Sequence, residues 1–177
     1  MATLPFVRCL LDLPIRKNIN FAHIHQRKEI ENYLLVPKVL ERVINNRVRS
    51  LKMRKAKTGS IKPVAEILDG ITSPYRTEIQ SKYIDHRIRF FKSIRSRLDI
   101  STITKETIDL FDKKWQDINS RVEIVPGKKT FSLLNQYFQD SLGFNLTMIS
   151  VTSAFATDEI PEDMLTLLRR LNKFRSV

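Results

Sequence analysis

The spacing of apolar residues constrains this chain most, because from Pro37 onward it follows the period of an α-helix. After this proline, a residue common in the first helical turn, apolar positions recur every three or four residues as far as Leu51, with arginines and lysines between them. A second amphipathic stretch runs from Tyr75 to Leu98. The last stretch has acids near Pro161 and bases at its end, which complements a helix dipole. We therefore predict a predominantly helical protein.

The N-terminal part of the chain has a different pattern. The mainly apolar stretch Ile19–Ile24 predicts a buried strand, so the predicted fold class is α+β, predominantly α-helical, with a small strand component near the N-terminus. We expect residues 1–37 to contribute this strand segment and residues 38–177 to form a helical region packed on it, as one continuous domain. A chain of 177 residues is long enough to bury a core of its own.

Cysteine usage and hydropathy indicate the cellular compartment in which the protein works. Cys9 is the only cysteine, which excludes a disulfide framework and a thiolate zinc cluster. Residues 1–12 are partly apolar, but Arg8 and Asp12 interrupt them and no cleavage-site pattern follows, so we expect no signal peptide. No run approaches the roughly 18 apolar residues that a membrane span requires. These features predict a cytoplasmic protein with no membrane partner.

The positive charge is concentrated in two stretches. The net charge is +12, of which residues 38–57 contribute +7 and residues 76–97 contribute +5. A localised basic field predicts a polyanionic partner, most often nucleic acid, with DNA favoured over RNA and the choice between them left open. The alternative is a pair of solvated helix faces that keep the protein soluble. The candidate nucleic-acid-binding residues are Arg42, Arg47, Arg49, Lys52, Arg54, Lys55, Lys82, Arg89 and Lys92.

Two carboxylates follow the predicted strand. Glu29 and Glu31 are two positions apart, so in an extended backbone their side chains point the same way. A carboxylate pair at the end of a strand can hold Mg²⁺ or Mn²⁺ for phosphodiester chemistry. The alternative is a pair of surface acids, and composition alone favours that alternative.

A Gly-Lys pair follows Pro126 at the start of a predicted helix. Free backbone N–H groups and a lysine at such a position can hold an anion. The spacing does not fit the phosphate-binding loop of ATPases, because Val122 stands where that loop needs its first glycine. We therefore predict no ATP site within this chain. Lys128 can still contact a phosphate or a transition-state oxyanion, or it can be an exposed lysine in a helix cap.

Three segments, taken in order, resemble a known protein family. Residues 25–37 have the sequence HQRKEIENYLLVP, Trp115 precedes the sequence IVPGK at Ile124–Lys128, and the last helix opens with EIP at Glu159–Pro161. Over about residues 20–177 the chain resembles the end of the Toprim-type nuclease domain and the helical tail of the OLD (overcoming lysogenization defect) ATPase-nucleases. It is especially similar to relatives in retron and Septu-type antiphage systems.

This resemblance implies a mechanism and a set of site residues. In that family an N-terminal ATPase domain dimerises, and the Toprim domain cuts nucleic acid with two metal ions held by an early Glu, an Asp-x-Asp motif and a later Glu. The later Glu corresponds to Glu31, in preference to Glu29, and the lysine near the site corresponds to Lys128. Asp12, within LLDLP at residues 10–14, resembles the first Asp of the motif. The implied metal ligands are Asp12, Glu29 and Glu31, and the implied catalytic residues are Glu31 and Lys128.

The chain also departs from the family pattern. Pro14 stands where the second Asp of the motif belongs, the early Glu has no counterpart, and no ATPase motifs precede the match. The resemblance therefore implies a partial or truncated nuclease module of an antiphage ATPase, with at most weak metal-assisted chemistry alone and an ATPase domain or subunit as partner. The alternative is a non-enzymatic basic helical protein that binds nucleic acid or another protein.

Overall fold

The computed structural model describes residues 27–53, 62–94, 97 and 99–175, and these residues are mostly helical. The α-helices are α1 (Pro37–Met53), α2 (Val64–Thr72), α3 (Arg76–Ser93), α4 (Ile100–Gln116), α5 (Ile118–Ile124), α6 (Gly127–Leu142), α7 (Met148–Thr152) and α8 (Glu162–Arg175). Short 3₁₀ turns cover Ile30–Leu34, Ser73–Tyr75 and Thr157–Glu159. No strand occurs within the described ranges, so the structure confirms the helical prediction and gives no support to the β component. The strand predicted at Ile19–Ile24 lies outside the described residues.

Local sequence signals fix several helix ends. Helix α1 begins at Pro37, as the sequence predicts. The Asp99 carboxylate caps α4 by accepting a hydrogen bond from the Thr102 N–H at 2.9 Å, which satisfies a backbone donor that has no partner within the helix. Helix α6 ends at Gly143, whose φ of 68° lies in the left-handed region that glycine enters without steric cost.

The core lies where α2 and α6 pack together and α4 packs along α3. Its largest fully buried side chains are Leu35, Val39, Leu40, Val64, Leu68, Ile79, Tyr83, Phe111, Val122, Ile124, Leu134 and Phe138. Phe111 stacks on Trp115 with ring centroids 5.1 Å apart. The Arg121 guanidinium, from α5, lies over the Trp115 ring, 4.8 Å from its centroid. The same guanidinium forms an ion pair with Asp69 of α2. Trp115 is therefore a core residue that joins α4, α5 and α2.

The segment before α1 belongs to the same helical body. The 3₁₀ turn Ile30–Leu34 contacts α5, α6 and α7, and the chain then passes through the fully buried Leu35 into α1. The described residues on the two sides of the predicted boundary at residue 37 therefore share one core.

Candidate nucleic-acid interface

Asn32 is the centre of the contact between the 3₁₀ turn and the start of α6. Its side chain is fully buried, and its Nδ2 donates to the Val122 carbonyl at 2.6 Å and to the Val125 carbonyl at 2.9 Å. Its Oδ1 accepts a hydrogen bond from the Glu29 N–H at 2.7 Å. A Cβ on Gly127 would lie 2.6 Å from that same Oδ1, so only glycine fits beside the amide. Two segments of the family resemblance are therefore in direct contact.

Glu29 places its carboxylate on the first turn of α6. Its Oε2 accepts a hydrogen bond from the Lys128 N–H at 2.9 Å, a position where a negative charge also complements the helix dipole. Glu29 has an extended backbone, with φ of −135° and ψ of 160°, while Glu31 lies inside the 3₁₀ turn. Glu29 faces α6, whereas Glu31 lines an apolar groove bounded by α7 and α8. The extended geometry on which the predicted carboxylate pair depends is thus absent.

The other predicted metal ligand, Asp12, lies outside the described residues. Within the described ranges, no group of three or more His, Cys, Asp or Glu side chains is arranged to hold a metal ion. Only the Oε2 atom of Glu29 accepts the hydrogen bond from α6, so that bond by itself does not prevent Oε1 from binding a metal. Glu31 as a catalytic and metal-binding residue, and Lys128 as a catalytic one, remain predictions.

Four lysines from three separate segments meet beside this junction, and we refer to them as the lysine cluster. They are Lys28, Lys82, Lys128 and Lys129. Lys128 follows the glycine that begins α6, and the Lys129 ammonium lies 3.7 Å from the centre of the Tyr75 ring, a cation–π contact. Lys82, on α3, forms an ion pair with Glu78 one turn earlier.

The charges of Lys28, Lys82 and Lys129 all act on Glu78, and Lys128 lies at the same junction through its backbone hydrogen bond to Glu29. Burial is the main cause that lowers the pKa of Lys28, and the neighbouring charge of Lys82 lowers it further, against Glu29 and Glu78. The pKa of Glu78 is lowered, first by its hydrogen bond from Lys82 and then by the charges of Lys82, Lys129 and Lys28. With two carboxylates among four lysines, the cluster keeps an excess of positive charge.

The predicted basic residues of α1 have different environments. Arg42 is held by a bidentate ion pair with Glu159, at 2.8 and 2.7 Å, and also donates to the Ala154 carbonyl at 2.6 Å. Arg42 is therefore mainly a structural residue that ties the C-terminal part of the chain to α1. Arg47 and Arg49 are exposed, and Arg47 lines a polar groove of about 580 Å³ beside α7. Lys52 lies in the last turn of α1, and Arg54 and Lys55 are outside the described residues.

The Glu159 carboxylate is as important to that contact as Arg42. It accepts from the Arg42 guanidinium, from the Ala156 N–H at 3.0 Å and approaches the Lys38 ammonium to 3.3 Å. These bonds, first the one from Arg42, hold the pKa of Glu159 down to about 2. Glu159 therefore fastens the chain that leads into α8 to helix α1.

The predicted basic residues of α3 lie at its surface. Arg89 pairs with Asp85 one turn earlier at 3.0 Å, and Lys92 is exposed in the last turn. By contrast Arg87, from the same basic stretch, is buried and pairs with Glu106 of α4. Exposed ion pairs within one helix contribute little to stability, so Lys82 and Arg89 can exchange them for a phosphate at low cost.

Sequence reasoning identified Lys82 and Lys128 but missed Lys28 and Lys129. The missing signal is tertiary, because nothing in the local pattern brings these four residues to one surface. Each missed lysine is nevertheless the direct sequence neighbour of a predicted site residue: Lys28 precedes Glu29, and Lys129 follows Lys128.

Comparisons with protein-family models, with curated proteins and with solved structures gave no significant match. Among the helices in the described ranges, none is long and apolar enough to cross a membrane.

Proposed function

We propose that this chain binds nucleic acid by holding its phosphate backbone at the lysine cluster. The observation that supports this most is the convergence of lysines from the segment before the 3₁₀ turn, from α3 and from the start of α6. A basic run along one helix is common on soluble proteins, but three separate segments that deliver lysines to one surface concentrate positive charge there.

The chemistry of the cluster suits phosphate contacts rather than base recognition. Lysine ammonium groups are compact charges on flexible stems, and they bind phosphate oxygens without a fixed orientation. The Glu29 carboxylate already occupies the Lys128 N–H, so the lysine side chains rather than the helix end would make the contacts. We infer binding with little sequence preference, to DNA more than to RNA.

Fluorescence anisotropy with a labelled DNA duplex tests this proposal. A variant carrying Lys128→Ala and Lys129→Ala should bind more weakly than the wild type at the same low salt concentration. Lys105→Ala is the matched control, because Lys105 is an exposed lysine on α4 outside the cluster. Equal affinity of the double variant and the control would refute the proposal, provided that circular dichroism shows both to be folded.

A single-stranded or duplex RNA competitor examines the choice of nucleic acid in the same assay. We expect RNA of equal length to displace the DNA less effectively than unlabelled DNA does. Stronger competition by RNA would make RNA the ligand while leaving the lysine cluster as the contact surface.

A second candidate function is metal-assisted phosphodiester hydrolysis, as a partial Toprim-like nuclease module that works with an ATPase domain or subunit. It is favoured by the hydrogen bond from the Lys128 backbone N–H to the Glu29 carboxylate, which brings two segments of the resemblance together. In this proposal Glu31 binds Mg²⁺ or Mn²⁺ and Lys128 stabilises the phosphate, which requires Glu31 to turn from the groove that it lines toward the start of α6.

Plasmid nicking in the presence of Mg²⁺ or Mn²⁺ separates the two candidates. Hydrolysis that is lost in Glu31→Gln and in Lys128→Ala, with unchanged DNA binding in Glu31→Gln, would support the nuclease proposal. DNA binding without any nicking by the wild type would reject hydrolysis by this chain alone and leave the binding function.

A further inference from the structure

An apolar groove of about 460 Å³ lies between the 3₁₀ turn Ile30–Leu34, α7 and α8. Ile30, Met148 and Leu168 line it, and they are 54%, 50% and 48% exposed. Ile149 and Leu171, on the two helices that form its walls, are 77% and 55% exposed. Large apolar side chains left open to water in one place mark a surface that binds a partner, a ligand or another segment.

Helix α8 forms one wall of the groove without closing it. Near its start, the Asp163 carboxylate accepts a hydrogen bond from the Tyr33 hydroxyl, which fixes the helix beside the 3₁₀ turn. From there Met164 and Leu168 follow at helical spacing along the groove. The apolar stripe of α8 is therefore held in place but only partly buried.

The chain itself provides a suitable occupant. Residues 1–26 lie outside the described part, and that part begins at Arg27, three positions before Ile30 of the groove wall. The segment contains the mainly apolar stretch Ile19–Ile24 directly before this point. At about 3.3 Å per residue, six residues of extended chain span about 20 Å, so this stretch can extend well along a wall that begins near Arg27.

Charge is consistent with the same occupant. Residues 1–26 contain Arg8, Arg16 and Lys17 against the single acid Asp12, while Glu31 is the charged residue of the groove lining. We propose that the apolar stretch Ile19–Ile24 docks into this groove within the same molecule. This inference is independent of the proposed nucleic-acid binding, since the lysine cluster is not part of the groove.

Paramagnetic relaxation in the full chain tests the docking. In a Cys9→Ser background, Asn20→Cys carries a nitroxide, and the methionine methyl groups are labelled with ¹³C. The methyl signals of Met148 and Met164, in the groove, should lose intensity. Reduction of the nitroxide supplies the reference spectrum.

Two further samples make the result decisive. A variant that adds Phe21→Ala and Ile24→Ala removes the apolar anchors, and it should recover the Met148 and Met164 intensities. A mixture of unlabelled nitroxide-bearing chain with ¹³C-labelled chain reports contacts between molecules. Intensity loss in the mixture would overturn the proposal in favour of a second copy, and unchanged groove signals in the single-chain sample would overturn docking altogether.

Discussion

Replacement of Asn32 by alanine should destabilise the protein more than any surface substitution of the same kind. The side chain is fully buried and makes three hydrogen bonds, of 2.6 and 2.9 Å to carbonyls and 2.7 Å from the Glu29 N–H. Each bond contributes about 1 kcal/mol net, and a buried carbonyl left without a partner costs about 1–3 kcal/mol. Because Val122 and Val125 are themselves buried, we expect a loss of about 3–5 kcal/mol in the free energy of unfolding.

A loss of that size is a large part of the roughly 5–15 kcal/mol that holds a domain folded, so it is easily measured. Urea denaturation followed by far-UV circular dichroism should show a much lower midpoint for Asn32→Ala with an unchanged slope. Asn46→Ala is the matched control, because Asn46 is exposed on α1 and should change stability by no more than about 0.5 kcal/mol. Equal midpoints for the two variants would refute the argument that Asn32 holds the junction.

Three other substitutions test further features of the fold. Gly127→Ala should destabilise the protein because its Cβ would lie 2.6 Å from the Asn32 amide oxygen. A Cβ at Gly70 would have no atom within 4 Å, so Gly70→Ala should raise the free energy of unfolding by about 0.5–1 kcal/mol through helix propensity, and the urea midpoint with it. Glu159 has a folded-state pKa of about 2, below its ordinary 4.5, so its pairing with Arg42 stabilises the fold above about pH 4.5 and is lost as pH falls through 2. Urea midpoints measured across that pH range should fall less steeply in Glu159→Gln than in the wild type, and parallel curves would contradict this assignment.

Helix positions could be predicted from sequence where the signal is local. Pro37 begins α1, Gly143 ends α6, and the apolar period indicates the buried faces between them. The pair Asp69-Gly70 predicts a helix end, yet α2 continues to Thr72. Val64, Ile67, Leu68 and Thr72 are all buried on one face, and this packing outweighs the roughly 1 kcal/mol that a glycine costs within a helix.

The geometry around the predicted carboxylate pair could not be predicted, since it depends on contacts between distant residues. Asn32 reaches carbonyls about ninety positions away, and these bonds hold residues 30–34 in a 3₁₀ turn rather than an extended strand end. For the same reason Arg42 looks in sequence like a basic residue available to a ligand, but its guanidinium is paired with the Glu159 carboxylate, 117 positions later. Local charge patterns cannot distinguish a structural arginine from one available to a ligand.

The most direct test of nucleic-acid binding at the lysine cluster is the dependence of DNA affinity on salt concentration. We would measure the slope of log K against log salt for the wild type, Lys105→Ala, and a variant with alanine at Lys82, Lys128 and Lys129. Each lysine that contacts a phosphate of duplex DNA contributes about 0.9 to the magnitude of the negative slope. The magnitude should therefore be smaller by up to about 2.7 in the triple variant and unchanged in the control. A triple variant that binds with the slope of the wild type would contradict the proposal.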